Sequence, residues 1–361
     1  MRFLISGYYG FGNLGDEALL ALLVSRLKTL YPLATIDVLS QRPAETAHRF
    51  NVASTPRMDL GAVRKAVERS DVVLSGAGGL LQTATSFKSL LYYAGIVRTG
   101  VRAGKRTMIF AQSVGPLDFW GRQTVRECCK GIAAATVRDE RSRALLVSIL
   151  PGVEVERTAD LVFLYDPPEA AVDLTMHGLG AESEPLVVVA ARKTAQFETV
   201  AATIASAVDR LADEHGAKVA FVPLGGQSDA EAATTIIRKC RSKPTLVELD
   251  GLDAIAAAIA RAHLVIGVRL HALILAARFG VPFLSVAYDP KVVGLAEDLG
   301  YPLEPLWSAP SLGRGAVPAE ALVDAAWSRH DELAAQLAQN YPAQRALAEK
   351  NFTVLARVAG S

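Results

Sequence analysis

An arginine and a histidine two residues apart are the side chains of this sequence best suited to chemistry. Arg269 and His271 follow an apolar run that ends in Gly267, which predicts a strand, a tight turn and the start of a helix. A helix N-terminus offers free N–H groups and a positive dipole end, which favour an anion. The arginine would hold a phosphate or carboxylate while the histidine moves a proton beside it. The structural alternative is that Arg269 pairs with a carboxylate and His271 caps the turn.

More charged and polar side chains follow the other apolar runs of the second half. The chain has 38 basic and 37 acidic residues and a formal net charge of +1, so a local group of cations does not reflect a general basic excess. Because the carboxyl ends of parallel strands meet at one edge of a sheet, we expect a positive site for an anionic substrate there. The candidates besides Arg269 and His271 are Arg192, Lys193, Gln227, Asp289 and Lys291.

Glycine-rich loops follow the apolar runs of the first half. Gly10, Gly12 and Gly15 form a GxGxxG pattern between a strand and a helix, which is typical of dinucleotide-binding folds. The acid that would contact the ribose is missing after the second strand, where Arg42 leaves an NADP site open. Alternatively, the loop frames a different ligand, and Asp16 is a helix cap. The other candidates for substrate binding here are Asn13, Asp16, Gly78, Gly79, Gln112 and Arg138.

The elements that would position these loops alternate along the chain. Strands that alternate with helices predict parallel sheets covered on both faces, and the pattern breaks at a proline- and glycine-containing linker over residues 165–185. The sequence therefore predicts an α/β fold of two Rossmann-like domains facing a cleft, GT-B-like, over residues 1–168 and 169–318. The helical segment 319–361 is expected to pack back on the first domain. The predicted strands are 3–6, 35–39, 72–75, 107–111, 135–137, 186–190, 218–223, 245–248, 264–266 and 283–286.

Composition argues against several classes of protein. The balanced charge disfavours a nucleic-acid-binding protein, and three cysteines disfavour a disulfide framework and favour the reducing cytoplasm. No apolar run reaches the length of a membrane span, and no metal-ligand spacing or nucleophile elbow is present. A basic cluster is either a solvated face or a contact with lipid phosphates, which would place the protein at the inner face of the cytoplasmic membrane. The cluster consists of Arg98, Arg102, Lys105 and Arg106.

Eight motifs in order resemble the polysaccharide pyruvyl transferases, closest to the CsaB type. They are GYYGFGNLGDEALL, SGAGGLLQ, LLYYAGIV, AQSVGP, VRDERS, TADLVF, GVRLHALILAA and YDPKV, and the resemblance runs from Met1 to about Leu299. The resemblance implies a GT-B-like fold and transfer of the enolpyruvyl unit of phosphoenolpyruvate to a sugar, giving a pyruvate ketal and phosphate. For the CsaB type it implies a β-linked N-acetylmannosamine acceptor on a lipid-linked secondary cell wall polymer precursor, whose ketal supports S-layer anchoring.

The same resemblance assigns roles to particular residues. The family's Arg-Leu-His maps onto residues 269–271, and a further arginine maps onto Arg192. We therefore expect His271 as general acid/base and Arg269 with Arg192 as the clamp for phosphoenolpyruvate, with the first domain on the acceptor side. No cofactor or metal is expected, and which proton His271 moves stays open. The chain departs from the family pattern at Thr83, where an aspartate is common, and in AARKT, where SLRPW is usual.

Three other functions are compatible with the same residues. A glycosyltransferase with a nucleotide-sugar donor would use the same two domains and the same positive second half. An NADP-dependent oxidoreductase would use the GxGxxG loop with Arg42. A non-catalytic sugar-binding module would have no need for the arginine–histidine pair. The exact acceptor, the ketal linkage and the oligomeric state are left open by the sequence.

Overall fold

Short apolar runs form the strands of this protein, and the amphipathic segments between them form its helices. The computed structural model describes residues 1–84, 86–169, 172–179, 184–313 and 317–360. Two compact units divide the chain. Unit 1 comprises Met1–Leu164 and Arg345–Ser361, and unit 2 comprises Tyr165–Gln344.

Unit 1 contains a seven-stranded parallel sheet in the order β3-β2-β1-β4-β5-β6-β7. The strand order reverses between β1 and β4, where Ser6 pairs with Ser75, so the loops after these two strands begin level with each other. The central strands are buried apolar runs, as strands covered on both faces require. The elements are β1 (Arg2–Ser6), α1 (Leu14–Leu30), β2 (Thr35–Ser40), α2 (Pro43–Phe50), β3 (Ala53–Pro56), α3 (Leu60–Arg69), β4 (Val72–Ser75), α4 (Phe87–Arg102), β5 (Arg106–Gln112), α5 (Phe119–Cys129), β6 (Ala134–Val137), α6 (Glu140–Ile149), β7 (Val155–Arg157) and a 3₁₀ turn (Leu161–Leu164).

Unit 2 contains a six-stranded parallel sheet in the order β10-β9-β8-β11-β12-β13. Here the order reverses between β8 and β11, where Ala190 pairs with Gly267. The elements are a 3₁₀ turn (Thr175–His177), β8 (Leu186–Ala190), α7 (Phe197–His215), β9 (Lys218–Phe221), α8 (Gln227–Ile237), β10 (Thr245–Leu246), α9 (Gly251–Arg261), β11 (Leu264–Gly267), α10 (Leu270–Arg278), β12 (Phe283–Ala287), α11 (Pro290–Asp298), β13 (Trp307–Ser308), a second 3₁₀ turn (Pro310–Leu312) and α12 (Ala319–Ser328).

The last helix, α13 (His330–Gly360), belongs to both units. Its final residues pack on unit 1, where the Phe352 ring lies edge-on to Phe110 of β5 at a centroid distance of 5.3 Å. Thr158 donates a hydrogen bond to the side chain of Asn351 at 2.9 Å, and both residues are buried. Arg26 of α1 pairs with Glu349. The helix therefore supplies part of the packing of unit 1.

The predicted α/β fold with two Rossmann-like sheets and a returning C-terminal helix is confirmed. Of the segment predicted as 319–361, the residues up to Gln344 belong to unit 2 and those from Arg345 belong to unit 1. Unit 2 begins at Tyr165, near the start of the predicted linker. Of that linker, residues 170–171 and 180–183 lie outside the described residues.

Candidate functional site

Four neighbouring strands of unit 2 end at the edge that carries the predicted cations and Gln227. Arg192 follows β8 and Arg269 follows β11, so the two arginines flank the position where the strand order reverses. Crevices at such positions are where ligands bind in open parallel sheets. Gln227 and Lys291 follow the two outer strands of this group, β9 and β12. The structure thus places the predicted residues of the second half at the carboxyl edge of one sheet.

Arg269 makes a two-point ion pair with Asp229. Its Nε and Nη2 atoms donate to the two carboxylate oxygens of Asp229 at 2.7 and 2.6 Å. Asp229 lies in the first turn of α8 and is 0% exposed, and a buried carboxylate needs such a partner. Nη1 of Arg269 has no hydrogen-bond partner among the described residues. One edge of the guanidinium is therefore fixed by the protein.

Gly225 packs directly against the same guanidinium. A Cβ atom placed on Gly225 would lie 1.9 Å from Nη2 of Arg269 and 2.7 Å from Oδ2 of Asp229. Any side chain there would displace the arginine from its carboxylate. The loop before α8 and the first turn of α8 therefore enclose Arg269, with Gly225 against the guanidinium and Asp229 at its edge.

His271 is the second residue of α10 and is half-buried. Arg269 is the N-cap residue of that helix, but its side chain makes no capping bond because it reaches across to Asp229. The structural alternative of a carboxylate partner for Arg269 is therefore realised. It does not exclude a ligand, since the arginine keeps a third nitrogen. His271 follows Arg269 by two residues, so their backbones lie within one helical turn at the start of α10.

Tyr288 contacts two further cations of this edge, Arg192 and Lys291. The Arg192 Nη1 atom donates to the Tyr288 hydroxyl at 2.7 Å, and the guanidinium lies 5.2 Å from the centre of the ring. The Lys291 ammonium lies 5.7 Å from the same ring and 3.6 Å from the carboxylate of Asp289. Asp289 caps α11, which is a structural role. Tyr288 therefore contacts both cations, and Lys291 also lies beside the carboxylate of Asp289.

Lys193 and Gln227 differ from the residues above in being exposed. The Gln227 amide donates to Glu231 one turn along α8 at 3.3 Å, and Lys193 has no hydrogen bond to a described residue. Both lie at the predicted carboxyl edge of the unit 2 sheet. Neither is fixed in position by the surrounding structure.

The side chain of Glu17 accepts a hydrogen bond from the Gly10 loop of unit 1. The backbone N–H of Gly10 donates to the Glu17 carboxylate at 2.8 Å, and burial raises the pKa of Glu17, against the bond from Gly10 and nearby arginines. A Cβ on Gly10 would lie 2.3 Å from the Ser40 hydroxyl, and Gly10 has a positive φ of 79°. Glu17 and Asp16 both lie in the first turn of α1, where a dinucleotide would place its pyrophosphate. These negative charges disfavour pyrophosphate and favour a neutral, hydroxyl-rich ligand.

The two glycine loops of unit 1 meet at Asp16. Asn13 caps α1 and its amide bonds the Asp16 carboxylate, while a Cβ on Gly78 would lie 3.0 Å from Asp16. Gly78 has a positive φ of 116°, as only glycine adopts easily. Gly12 and Gly79 are exposed beside them. These five predicted residues lie together at the reversal of strand order.

Gln112 is buried in unit 1, and Arg138 is half-buried there. Gln112 is 0% exposed, and its amide donates to the backbone and hydroxyl oxygens of Ser75 at 2.8 and 2.7 Å. The Arg138 Nε donates to Ser113 at 2.6 Å, and its Nη1 bonds Asp160. Burial lowers the pKa of Arg138, but the nearby carboxylates outweigh it and raise the pKa overall. Both side chains join neighbouring segments of the unit, which is a structural role, and their part in substrate binding stays a prediction.

An aromatic cage around an arginine in unit 1 was not predicted. Arg57, 8% exposed, lies 4.9, 4.3 and 5.3 Å from the ring centres of Phe11, Tyr92 and Tyr93. Its Nε and Nη1 atoms have no hydrogen-bond partner among the described residues. Tyr9, also buried, fills the space beside the strand ends, and burial raises its pKa, with Asp16 adding to the effect. An isolated arginine after a short polar strand carries no recognisable pattern in the sequence.

Asp229 and Tyr288 contact the two arginines of the candidate site, and sequence reasoning missed both. Tyr288 stands directly before Asp289 in the YDPKV motif, so the sequence offered a signal for it. Asp229 lies 40 residues from Arg269, and only the order β9-β8-β11 brings the two together. Among the described residues, no group of three or more His, Cys, Asp or Glu could hold a metal ion. None of the described helices is both long and apolar enough to span a bilayer.

Sequence comparison relates the chain to enzymes of polysaccharide modification. The sequence profile of the family described as polysaccharide pyruvyl transferase matches residues 13–290. The amylovoran biosynthesis protein AmsJ of Erwinia amylovora is 33% identical over 92 residues, which are 26% of this chain and 21% of AmsJ. The chain therefore spans about a fifth of the length of this relative.

Structural comparison relates the fold of the chain to an epimerase and to glycosyltransferase structures. UDP-GlcNAc 2-epimerase of Neisseria meningitidis has a TM-score of 0.63 and 10% identity, over 99% of this chain and 100% of the epimerase. HepE of Anabaena, solved with UDP and glucose, has a TM-score of 0.61 and 14% identity, over 100% and 98%. A glycosyltransferase of Rickettsia africae has a TM-score of 0.64 and 9% identity, over 99% and 98%. These identities show the fold alone, and the predicted GT-B-like class is confirmed.

Proposed function

Because this chain belongs to the polysaccharide pyruvyl transferase family, we propose that it moves the enolpyruvyl unit of phosphoenolpyruvate onto a sugar. The products would be a pyruvate ketal and inorganic phosphate. The observation that carries the proposal is the set of cations at the carboxyl edge of the unit 2 sheet. Arg192 and Arg269 flank the reversal of strand order there, and His271 stands beside them.

The charges of phosphoenolpyruvate fit these cations. The molecule carries a phosphate and a carboxylate, and guanidinium groups bind both with paired hydrogen bonds. Arg269 is fixed along one edge by Asp229, so it would approach an anion with its remaining nitrogen at little entropic cost. Arg192 and Lys291 would supply the charge for the second anionic group. We assign unit 2 as the donor side on this basis.

The reaction needs two proton movements. Protonation of the CH2 carbon of the enol gives the carbon that bears the phosphate cationic character, and one sugar hydroxyl attacks that carbon. Phosphate leaves, and a second hydroxyl closes the ketal. Of the two protons released by the hydroxyls, one is balanced by the new methyl group and one by the phosphate. Histidine is the side chain that most often transfers such protons in enzymes, and His271 lies at this edge.

Unit 1 would take the acceptor. The loop Gly10–Asn13 and the glycines Gly78 and Gly79 surround Asp16, which can accept hydrogen bonds from sugar hydroxyls. The negative first turn of α1 favours a neutral sugar over a nucleotide. We propose a β-linked N-acetylmannosamine on a lipid-linked precursor of a secondary cell wall polymer as the acceptor, in support of S-layer anchoring. The enzyme would then act in the cytoplasm at the inner face of the membrane.

The proposal is tested by incubating the protein with phosphoenolpyruvate and a synthetic β-ManNAc acceptor. We expect phosphate release together with a product heavier by one pyruvate ketal. Thermal stabilisation by phosphoenolpyruvate, compared with UDP and NADPH, separates this function from a glycosyltransferase and an oxidoreductase. No ketal across a panel of β-linked hexosamines and hexoses, with stabilisation by UDP alone, would contradict the proposal.

A further inference from the structure

The helices α4 and α5 share a surface with two distinct chemical parts. They pack side by side on one face of the unit 1 sheet, since each follows one of the neighbouring strands β4 and β5. Crossover helices of a parallel sheet run in the same direction, so the two N-terminal ends lie together. The Thr83 hydroxyl accepts the backbone N–H of Asp118 at 3.1 Å, which ties the loop before α4 to the start of α5.

Large apolar side chains are exposed at this shared N-terminal end. Phe119 and Trp120 open α5 and are 64% and 69% exposed. Phe87 opens α4 and Leu91 lies one turn later, and both are also exposed. Residues of this kind are normally buried, and a group of them on one surface indicates a contact with something outside the chain.

The rest of the two helices is basic. The sixteen residues of α4, all of them described, include no acidic side chain, and α5 includes one, Glu127. Burial raises the pKa of Cys128 on α5, and Arg98 and Arg102 of α4 counteract it, which places both arginines beside the end of α5. The exposed cations of the surface are Lys88, Arg98, Arg102, Arg122, Arg126 and Lys130. In a chain of net charge +1 this is a strong local segregation of charge.

We propose that this surface, defined by the exposed residues of α4 and α5, docks on a membrane containing anionic lipids. Trp and Phe at the helix starts would enter the interfacial layer, and the cations would contact lipid phosphates. A purely aqueous polyanion would use the cations but would leave four apolar side chains without a partner. The charge and the apolar group together match a lipid surface.

The docked edge would lie next to the proposed acceptor loops. The starts of α4 and α5 are at the carboxyl ends of β4 and β5, the same edge that carries Gly78, Gly79 and the Gly10 loop. A sugar attached to a lipid would thus reach those loops without leaving the bilayer surface. The biological reason for docking rests on the proposed function, but binding to vesicles measures it without any turnover.

The test is co-sedimentation of the full chain with two kinds of vesicle. We expect binding to mixed phosphatidylcholine and phosphatidylglycerol vesicles, weaker binding to pure phosphatidylcholine, and release by salt. Removal of two cations in Arg98→Gln/Arg102→Gln should weaken partitioning about fivefold per charge. Trp120→Ser should weaken it even in low salt, and the blue shift of tryptophan emission that the wild-type protein shows on binding should be smaller in this variant.

Matched controls remove the same groups elsewhere. Arg238→Gln/Lys243→Gln removes two exposed cations from unit 2, and Leu33→Ser removes an apolar side chain that is almost fully exposed in unit 1. Both controls should bind vesicles like the wild-type protein. Equal binding by the α4–α5 variants and the controls would overturn the proposal. The absence of vesicle binding would also overturn it. If Trp120→Ser dissociates a dimer of the chain and the wild-type protein does not bind vesicles, the surface is a contact between copies instead.

Discussion

The carboxylate of Asp229 holds the guanidinium of Arg269 at two points, with N–O distances of 2.7 and 2.6 Å. The acid is fully buried and the arginine is 17% exposed, so the pair lies at the boundary between core and site. Breaking such a pair leaves an uncompensated charge in the interior. The position of Arg269 at the sheet edge is therefore determined by a residue that is itself out of reach of any substrate.

Replacement Asp229→Asn should loosen Arg269 while preserving the shape of the site. We expect kcat/KM for phosphoenolpyruvate to fall about 100-fold, because small misplacement of a clamping group has effects of this size. The free energy of unfolding should also fall by about 3–5 kcal/mol. Steady-state phosphate release and thermal unfolding measure the two effects. The control Asp209→Asn removes another buried carboxylate of unit 2, which bonds Ser242, and should lower stability with KM unchanged.

Replacement Gly225→Ala should move Arg269 without changing any charge. The added methyl group would lie 1.9 Å from Nη2, and the arginine cannot simply rotate away because Asp229 holds it. We expect weaker binding of phosphoenolpyruvate, measured by thermal shift or calorimetry. Gly294→Ala is the matched control, since a Cβ there meets nothing within 4 Å. Equal phosphoenolpyruvate affinity of the two variants would show that the position of Arg269 does not matter for binding.

Replacement His271→Ala should remove most of the activity and spare donor binding. A general acid/base contributes about 100- to 10,000-fold, so kcat should fall at least 100-fold while the affinity for phosphoenolpyruvate changes little. The exposed residue His48 on α2 provides the control His48→Ala, which should keep full activity. A variant that loses donor affinity and turnover together would assign His271 to binding instead.

The stability of unit 2 should depend on pH through His263. This ring stacks on His330 at a centroid distance of 4.0 Å and tilts against Trp327 at 4.3 Å. Burial lowers the pKa of His263 from its usual 6.5, and His330 adds to the effect. The unfolded chain therefore binds the proton more readily, so the contribution to stability is complete above pH 6.5 and is lost as pH falls towards the lower folded pKa.

Thermal unfolding between neutral and mildly acidic pH tests this dependence. His263→Phe keeps a flat ring against Trp327 and removes the titrating group, so the fall in Tm on acidification should become shallower. His48→Phe, which changes an exposed histidine of unit 1, should leave the slope as it is. An unchanged slope for His263→Phe would assign the acid sensitivity to other groups.

The central strands could be predicted from the sequence, and most of the edge strands could not. Central strands such as β4 and β8 are buried on both faces, so they appear as continuous apolar runs, and their predicted and observed ends coincide. The edge strands β3, β7 and β13 were missed. They pair on one side only and need little apolar surface, so ASTP, VER and WS resemble loops.

The site could be predicted in its cations but not in what holds them. Strand ends mark where Arg192 and Arg269 emerge, because every strand of a parallel sheet delivers its following loop to the same edge. The partner Asp229 depends on which strands are neighbours, and strand order is not written in local pattern. Gln112 and Arg138 were placed correctly at strand ends, yet their side chains turn inward to Ser75 and Asp160.

Because α13 contributes to both units, the two units cannot finish folding in the order in which the ribosome begins them. Unit 2 ends at Gln344, whereas unit 1 still lacks residues 345–361 when all of unit 2 has been synthesised. Until then Phe110 and Thr158 have no Phe352 or Asn351 to pack against. Unit 1 is therefore the first to be translated and the last to finish folding. While unit 2 is being synthesised, the part of unit 1 that α13 later covers stays uncovered.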